Sequence, residues 1–248
     1  MAPKAGNASL SLFQILVLAV IQGIAEFLPI SSSGHVVIAA ACLGHPLDIV
    51  DVNIVLHLGT LVSILIYYSA HIWRLVSVER RVVGLLLVGT LPAAVLGILI
   101  KKQFGWLLES PKLAGGMLIV TGLLLLIPRQ QRETNGTYTQ LSWKRALSIG
   151  CAQACALLPG ISRSGTTIVA GLQAGLSRQD AAAFSFLLAI PAIGGASLLE
   201  IIDVLQGETA LHTEVWKLTI GAAVSCVVGL GAISWLVRWL SSGQLHLF

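Results

Sequence analysis

Gln22-Gly-Ile-Ala-Glu26-Phe-Leu-Pro29-Ile-Ser31-Ser-Ser-Gly-His35 and Gln153-Ala-Cys-Ala-Leu-Leu-Pro159-Gly-Ile-Ser162-Arg-Ser-Gly-Thr-Thr167 are two polar stretches set in apolar runs, and their reading decides the fold. Each reads as an apolar helix with an inward polar residue, broken at proline, then a Ser/Gly-rich turn that opens a second helix. The start of a helix carries free N–H groups and a partial positive charge, so such a turn suits an anion. Two such turns at membrane depth predict one shared anion site.

Composition sets that depth. The chain has 248 residues, 56% hydrophobic and only 10% charged, with a mean hydropathy of +0.88. Soluble domains carry about 25% charged residues. Apolar runs at 52–70, 82–100, 180–201 and 216–237 each approach the roughly 20 residues that cross a bilayer. The expected class is all-α, a polytopic membrane protein and one integral-membrane domain over 1–248. The run at 9–28 lacks an Ala-x-Ala cleavage site and leads straight into the first polar stretch, so it reads as mature protein rather than a signal peptide. The net charge of +4 would suggest nucleic acid in a soluble protein, but here the basic residues fall in loops, where they set topology, and no nucleic-acid partner is expected. Cys42, Cys151, Cys155 and Cys226 all lie in apolar segments and read as small packing residues.

In chain order, a helix over 10–28 stops at Pro29, and a second from Ser33 to Leu43 is too short to span. Together they form a re-entrant hairpin, tolerated only inside protein or along a water-filled cavity. Spans follow at 52–70, 82–100 and 113–128, separated by loops with Arg74, Glu79, Arg80 and Arg81, then Lys101, Lys102, Glu109 and Lys112. A polar linker over 129–143 leads to the second half. There a helix from Trp143 to Leu158 breaks at Pro159-Gly160, a short helix runs from Ser164 to Gly175, and spans cover 180–201 and 216–238. Ser31-Ser-Ser-Gly34 aligns with Ser162-Arg-Ser-Gly165, and Gln22 roughly with Gln153. The expected architecture is therefore two inverted repeats, 1–128 and 143–248, each a re-entrant helix hairpin followed by spanning helices, with a site at their interface. One face collects Arg74, Arg80, Arg81, Arg129, Arg132, Lys144, Arg145, Arg178 and Arg238; the other has Lys4, Lys101, Lys102, Lys112 and Lys217. The richer face is expected to be cytoplasmic, which opens the first hairpin outward.

Glu26 lies four residues after Gln22, so both share one helix face. An ionisable residue inside a membrane is a functional candidate by default. His35, one turn past the serines, could act as general acid or base or be a packing residue. Arg163 must meet an anion or a carboxylate, because an unpaired buried charge is costly; its fork suits two phosphate oxygens, and an ion pair with Glu26 in the empty state is the structural alternative. Ser162, Ser164, Thr166 and Thr167 add hydroxyls around it. His57 and Ser185 could line the cavity, with ordinary packing the expected role. His45, His71, His212 and His246 need no special role, and Glu200, Asp203, Glu208 and Glu214 read as a solvated face.

These residues resemble the two signature motifs of the undecaprenyl pyrophosphate phosphatases, the bacitracin-resistance family. The resemblance extends to Ile149-Gly-Cys151, Gly175-Leu-Ser-Arg178 and Phe184-Ser-Phe-Leu-Leu-Ala-Ile-Pro191, nearly the whole chain in order. It implies an inner-membrane phosphatase of bacteria that removes the terminal phosphate of undecaprenyl pyrophosphate and recycles the carrier lipid for peptidoglycan synthesis. By that resemblance Glu26, Ser32, His35 and Arg163 are catalytic, and Gln22, Ser31, Ser33, Gly34, Ser162, Ser164, Gly165, Thr166 and Thr167 line the substrate site. Gln22 stands where many members have Glu, so a divalent cation, Mg²⁺ or Ca²⁺, would rely on Glu26, water and substrate oxygens. Family members also usually continue past the point matching His246-Leu-Phe248 into one more helix, so five full spans are expected here. Either the protein manages without it, a neighbouring subunit of a homodimer covers the gap, or the sequence is truncated; membrane lipid is the other expected partner.

The expected mechanism has Ser32 as nucleophile with His35 as base and later acid, or His35 attacking directly beside Ser32, or attack by water. Arg163, the turn N–H groups and the cation would neutralise the transferred phosphoryl group. A polyprenyl-phosphate transporter or flippase is the alternative, because inverted repeats with broken helices are also a transporter plan.

Overall fold

A computed structural model describes residues 10–44, 50–108, 110–127, 134–207 and 213–240. The expectations for Lys4, His45, Glu109, Arg129, Arg132, Glu208, His212 and the C-terminal His246-Leu-Phe248 lie outside these residues. Among the described residues ten α-helices run in order: α1 (Leu12–Ala25), α2 (Ser32–Cys42), α3 (Val50–Tyr67), α4 (Ser69–Ser77), α5 (Arg80–Leu108), α6 (Pro111–Leu126), α7 (Trp143–Cys155), α8 (Arg163–Gln173), α9 (Arg178–Leu205) and α10 (Val215–Leu240). Among the described residues no strand forms; one isolated bridge joins Gly136 to Leu176.

Serine sets most of the helix starts. Ser11, Ser31, Ser110, Ser142, Ser162 and Ser177 each cap a helix by accepting a backbone N–H of its first turn. Such a cap contributes about 0.5–2 kcal/mol. Among the described residues three helices, α5, α9 and α10, are long and apolar enough to cross a membrane, and α3 with α4 makes a fourth if the bent pair is one span. The expected span at 52–70 therefore ends early. The chain bends by 71° after Tyr67, and α4 leaves the span with Trp73 exposed on its outer side. The expected span at 82–100 is longer than foreseen, because α5 continues through Lys101 and Lys102, which the loop reading had placed outside it. The expected span at 113–128 is the 16-residue α6, about 24 Å long at 1.5 Å per residue, short of a hydrocarbon core of about 30 Å. It packs instead against α2 and α8.

The helix at the centre is α9. Its stretch from Ala181 to Ala189 is continuously buried, packed against α3, α5 and α8. The two halves interlock: α1 of the first packs on α10 of the second, and α7 of the second packs on α5 of the first. Leu87, Leu91 and Val95 on α5, Ile119 and Leu123 on α6, and Val227 on α10 are all more than half exposed, the apolar exterior a bilayer requires. The linker is tied down where Arg81 donates to the carbonyls of Thr139 and Leu141 and stands 5.8 Å over the Trp143 ring. Cys42 on α2 and Cys151 and Cys155 on α7 lie exposed rather than packed inside, Cys226 is half-buried, and all four cysteines are free.

Candidate active site

Both hairpins form as the proline and serine pattern predicts, and their turns match in detail. Ser31 Oγ accepts the N–H of Gly34 at 3.3 Å and lies 3.3 Å from Ser33 Oγ. Ser162 Oγ accepts the N–H of Gly165 at 3.1 Å and lies 3.2 Å from Ser164 Oγ. One difference has a steric cause. The second turn reverses at Gly160, with φ of 96°. The aligned residue of the first turn is Pro29, whose ring holds φ near about −65°, and the left-handed residue there is Ser31, with φ of 69°. A non-glycine residue in that region is strained by about 1–3 kcal/mol.

The hairpins meet tip to tip, each in the same way. A Cβ added at Gly34 would lie 2.8 Å from Gly160 Cα, and one at Gly165 would lie 3.1 Å from Pro29 Cβ. Each opening helix thus rests its glycine on the break of the other hairpin. Ser164 Oγ donates to the Leu28 carbonyl at 3.1 Å, closing the crossing. From α6, Thr121 Oγ1 donates to the Gly160 carbonyl at 2.7 Å and accepts the Ser162 N–H at 2.9 Å, which holds the second turn.

Glu26 is the focus of this crossing, 6% exposed. Ser32 Oγ donates to its Oε2 at 2.5 Å, and Gln22 Nε2 donates to the same oxygen at 3.0 Å. The Arg163 guanidinium forms an ion pair with Oε1 from the other hairpin. Ser32 and Arg163 hold equivalent positions in the two turns, so the paired turns bring a hydroxyl and a cation to one carboxylate. His57 Nε2 stands 3.7 Å from Glu26 Oε2. Its Nδ1 is 2.8 Å from the Asn53 carbonyl, which can only accept, so Nδ1 carries the proton there. His35 is arranged alike, Nδ1 donating to the Ser31 carbonyl at 2.8 Å, which leaves Nε2 for other partners. The proton of Ser32 points to Glu26, not to His35, which differs from the expected Ser32–His35 pair.

Four of the motif side chains keep a buried polar atom without a hydrogen-bond partner: Gln22 Oε1, Gln153 Oε1, Arg163 Nη1 and Thr166 Oγ1. The last two are donors on the first turn of α8, beside its free N–H groups, and are suited to further anionic oxygens. Gln153, aligned with Gln22, instead turns its amide to the Gly89 carbonyl on α5 at 3.4 Å. Thr167 Oγ1 donates to the Arg163 carbonyl at 2.8 Å and meets Ser185 Oγ at 2.6 Å.

The packing roles expected of His57 and Ser185 are therefore incomplete: one faces the site carboxylate, the other supports the site helix. His57 could have been found as an ionisable residue in an apolar run. Ser185 carried only the weaker signal of one hydroxyl inside a buried stretch, and Thr121 drew no notice for the same reason. Of the acidic residues read as solvated, Glu214 is exposed and pairs with Lys217 at 2.8 Å.

Known proteins share this arrangement of sequence. The family described as bacitracin resistance protein BacA matches residues 15–248. A Rhodopirellula baltica protein named undecaprenyl-diphosphatase is 52% identical over 237 residues, covering 96% of this chain and 92% of that protein. A protein of the same name from Halothermothrix orenii is 39% identical over 243 residues, covering 96% and 93%, and one from Myxococcus xanthus is 38% identical over 253 residues, covering 96% and 84%.

Proposed function

Because the chain belongs to the bacitracin resistance protein BacA family, we propose a mechanism for its site on the premise that it is an undecaprenyl-diphosphatase. It is a multi-pass helical membrane hydrolase that converts undecaprenyl pyrophosphate to undecaprenyl phosphate and phosphate, the activity linked to bacitracin resistance. The observation that carries the mechanism is the convergence of Ser32 and Arg163 on Glu26.

Arg163 neutralises Glu26. An incoming pyrophosphate offers Arg163 better acceptors, first at Nη1, which has no partner, and then across the whole fork. Glu26 is then free to take the Ser32 proton along the existing 2.5 Å contact. Ser32 Oγ bonds to the terminal phosphorus as the bridging P–O bond breaks, and undecaprenyl phosphate leaves. Water then cleaves the phosphoserine, with the Nε2 lone pair of His35 as base. Arg163, Thr166 and the N–H groups of the α8 turn stabilise charge on the equatorial oxygens throughout.

The donor set also fits a divalent cation. Gln22 Oε1 is buried without a partner beside Glu26, although no three His, Cys, Asp or Glu side chains cluster as a metal cage among the described residues. Glu26 and Gln22 would hold Mg²⁺ or Ca²⁺ together with water and pyrophosphate oxygens. Such an ion would supply further charge neutralisation of the phosphoryl group. We further propose that the protein lies in the cell inner membrane with the first hairpin opening to the extracytoplasmic side, a sidedness that rests on the distribution of Arg and Lys along the sequence and requires α6 to complete a crossing.

The test is phosphate release from undecaprenyl pyrophosphate by purified protein in detergent, with and without EDTA, beside Arg163→Ala, Ser32→Ala and His35→Ala. Release by the wild type and its loss in the variants supports the reading. A folded protein that binds the lipid but releases no phosphate refutes it in favour of a carrier.

A further inference from the structure

Many hydroxyls inside these helices satisfy themselves on their own backbone. Thr60, Ser63, Thr90, Thr219 and Ser234 each donate to a carbonyl three or four residues earlier, and need nothing from another helix. Ser185 is different. It is fully buried in the N-terminal third of α9, and its hydroxyl lies 2.6 Å from Thr167 Oγ1 on α8. Thr167 Oγ1 also reaches the carbonyls of Arg163 at 2.8 Å and Ser164 at 3.3 Å. Carbonyls only accept; with the proton of Thr167 on the Arg163 carbonyl, Ser185 is the donor to Thr167. The chain of bonds runs from α9 through Thr167 to the backbone of Arg163.

The residue after Ser185 extends the same support to the first hairpin. Phe186 meets Phe27 edge to face, with ring centroids 5.6 Å apart, and Phe27 directly follows Glu26. Phe27 and Phe186 are both fully buried. Adjacent residues of α9 therefore brace the turn that presents Arg163 and the residue next to Glu26.

We propose that Ser185 is a positioning residue of the hydrolase, one that holds Arg163 in register with Glu26 by donating from α9 to Thr167. This rests on the phosphatase reading above. Ser185 touches no reacting atom; it sets where the guanidinium stands as the phosphoryl group transfers. A displacement of about 1 Å at such a group can cost about 100-fold in rate. The loss should fall on kcat, because the charge that Arg163 meets grows as the bridging bond breaks.

Ser185→Ala and Ser185→Cys would be assayed for phosphate release in the wild-type and Arg163→Lys backgrounds, with melting temperature and elution profile alongside. For Ser185→Ala the expected result is a fall in kcat of about 10- to 100-fold with KM little changed. The cysteine, a weak donor of similar size, should fall between. In the Arg163→Lys background Ser185→Ala should cause little further loss, since the group it positions is already altered. Wild-type kcat in Ser185→Ala overturns the proposal and leaves the phosphatase standing. An equal loss in both backgrounds also overturns it, because that is the mark of a general structural defect. A wild type that releases no phosphate overturns both. If the alanine variant does not fold, the cysteine carries the same comparison.

Discussion

Removing the negative charge of Glu26 should tighten substrate binding while stopping turnover. The Arg163 guanidinium is held by Glu26 Oε1, and both side chains are largely buried, 16% and 6% exposed. Pyrophosphate has to take that guanidinium away before Arg163 can serve it with both nitrogens. A hydrogen bond to a charged group contributes about 1.5–3 kcal/mol, and Glu26→Gln weakens the competitor by that order. The gain corresponds to about 10- to 150-fold in affinity, with relief of carboxylate–phosphate repulsion acting in the same direction. Turnover should fall by about 100- to 10,000-fold, because the variant amide cannot take the Ser32 proton. The assay is binding of a methylene-bridged, non-hydrolysable analogue of undecaprenyl pyrophosphate, measured in EDTA so that cation binding does not enter, with phosphate release measured in parallel. Weaker analogue binding together with near-normal release would refute both the competition and the proton transfer.

Three other outcomes test separate parts of the site. Acid quenching during turnover of substrate labelled at the terminal phosphate should trap label on the wild type and none on Ser32→Ala; label retained by the variant excludes Ser32 as nucleophile. Gly34→Ala places a Cβ 2.8 Å from Gly160 Cα and 3.1 Å from Gly160 N, atoms of backbone that cannot rotate away. Overpacking of this kind costs about 1–3 kcal/mol, so both melting temperature and phosphate release should drop, and an unchanged variant would show that the hairpin tips do not touch. Thr121→Val leaves the Ser162 N–H and Gly160 carbonyl without their partner, at about 1–3 kcal/mol for each buried group. At about 2–4 °C per kcal/mol for a chain of this size, the melting temperature should fall by several degrees, and no shift would remove Thr121 from the support of the second turn.

The sequence by itself determined the class of molecule, the places where helices break and the residue types at the breaks. Those follow from local properties: an apolar run of sufficient length leaves water, proline ends a helix, serine caps the next one. It also left the two turns visibly alike, and it singled out Glu26 and Arg163 because charge within an apolar run needs a counterpart. Only the tertiary structure decided what that counterpart is. Arg163 and Glu26 are 137 residues apart, and hydropathy records that a residue leaves water without recording which way its side chain turns. For the same reason the Ser32 proton goes to Glu26 rather than His35, His57 stands beside the carboxylate, and Gln153 faces α5 although it aligns with Gln22. The bend after Tyr67 and the extra length of α5 past Lys101 and Lys102 were hidden too, since a helix can continue through polar residues once its apolar part is packed. Ser185 is the extreme case: its residue type fits ordinary packing, and its meaning comes entirely from the helix that the fold lays against it.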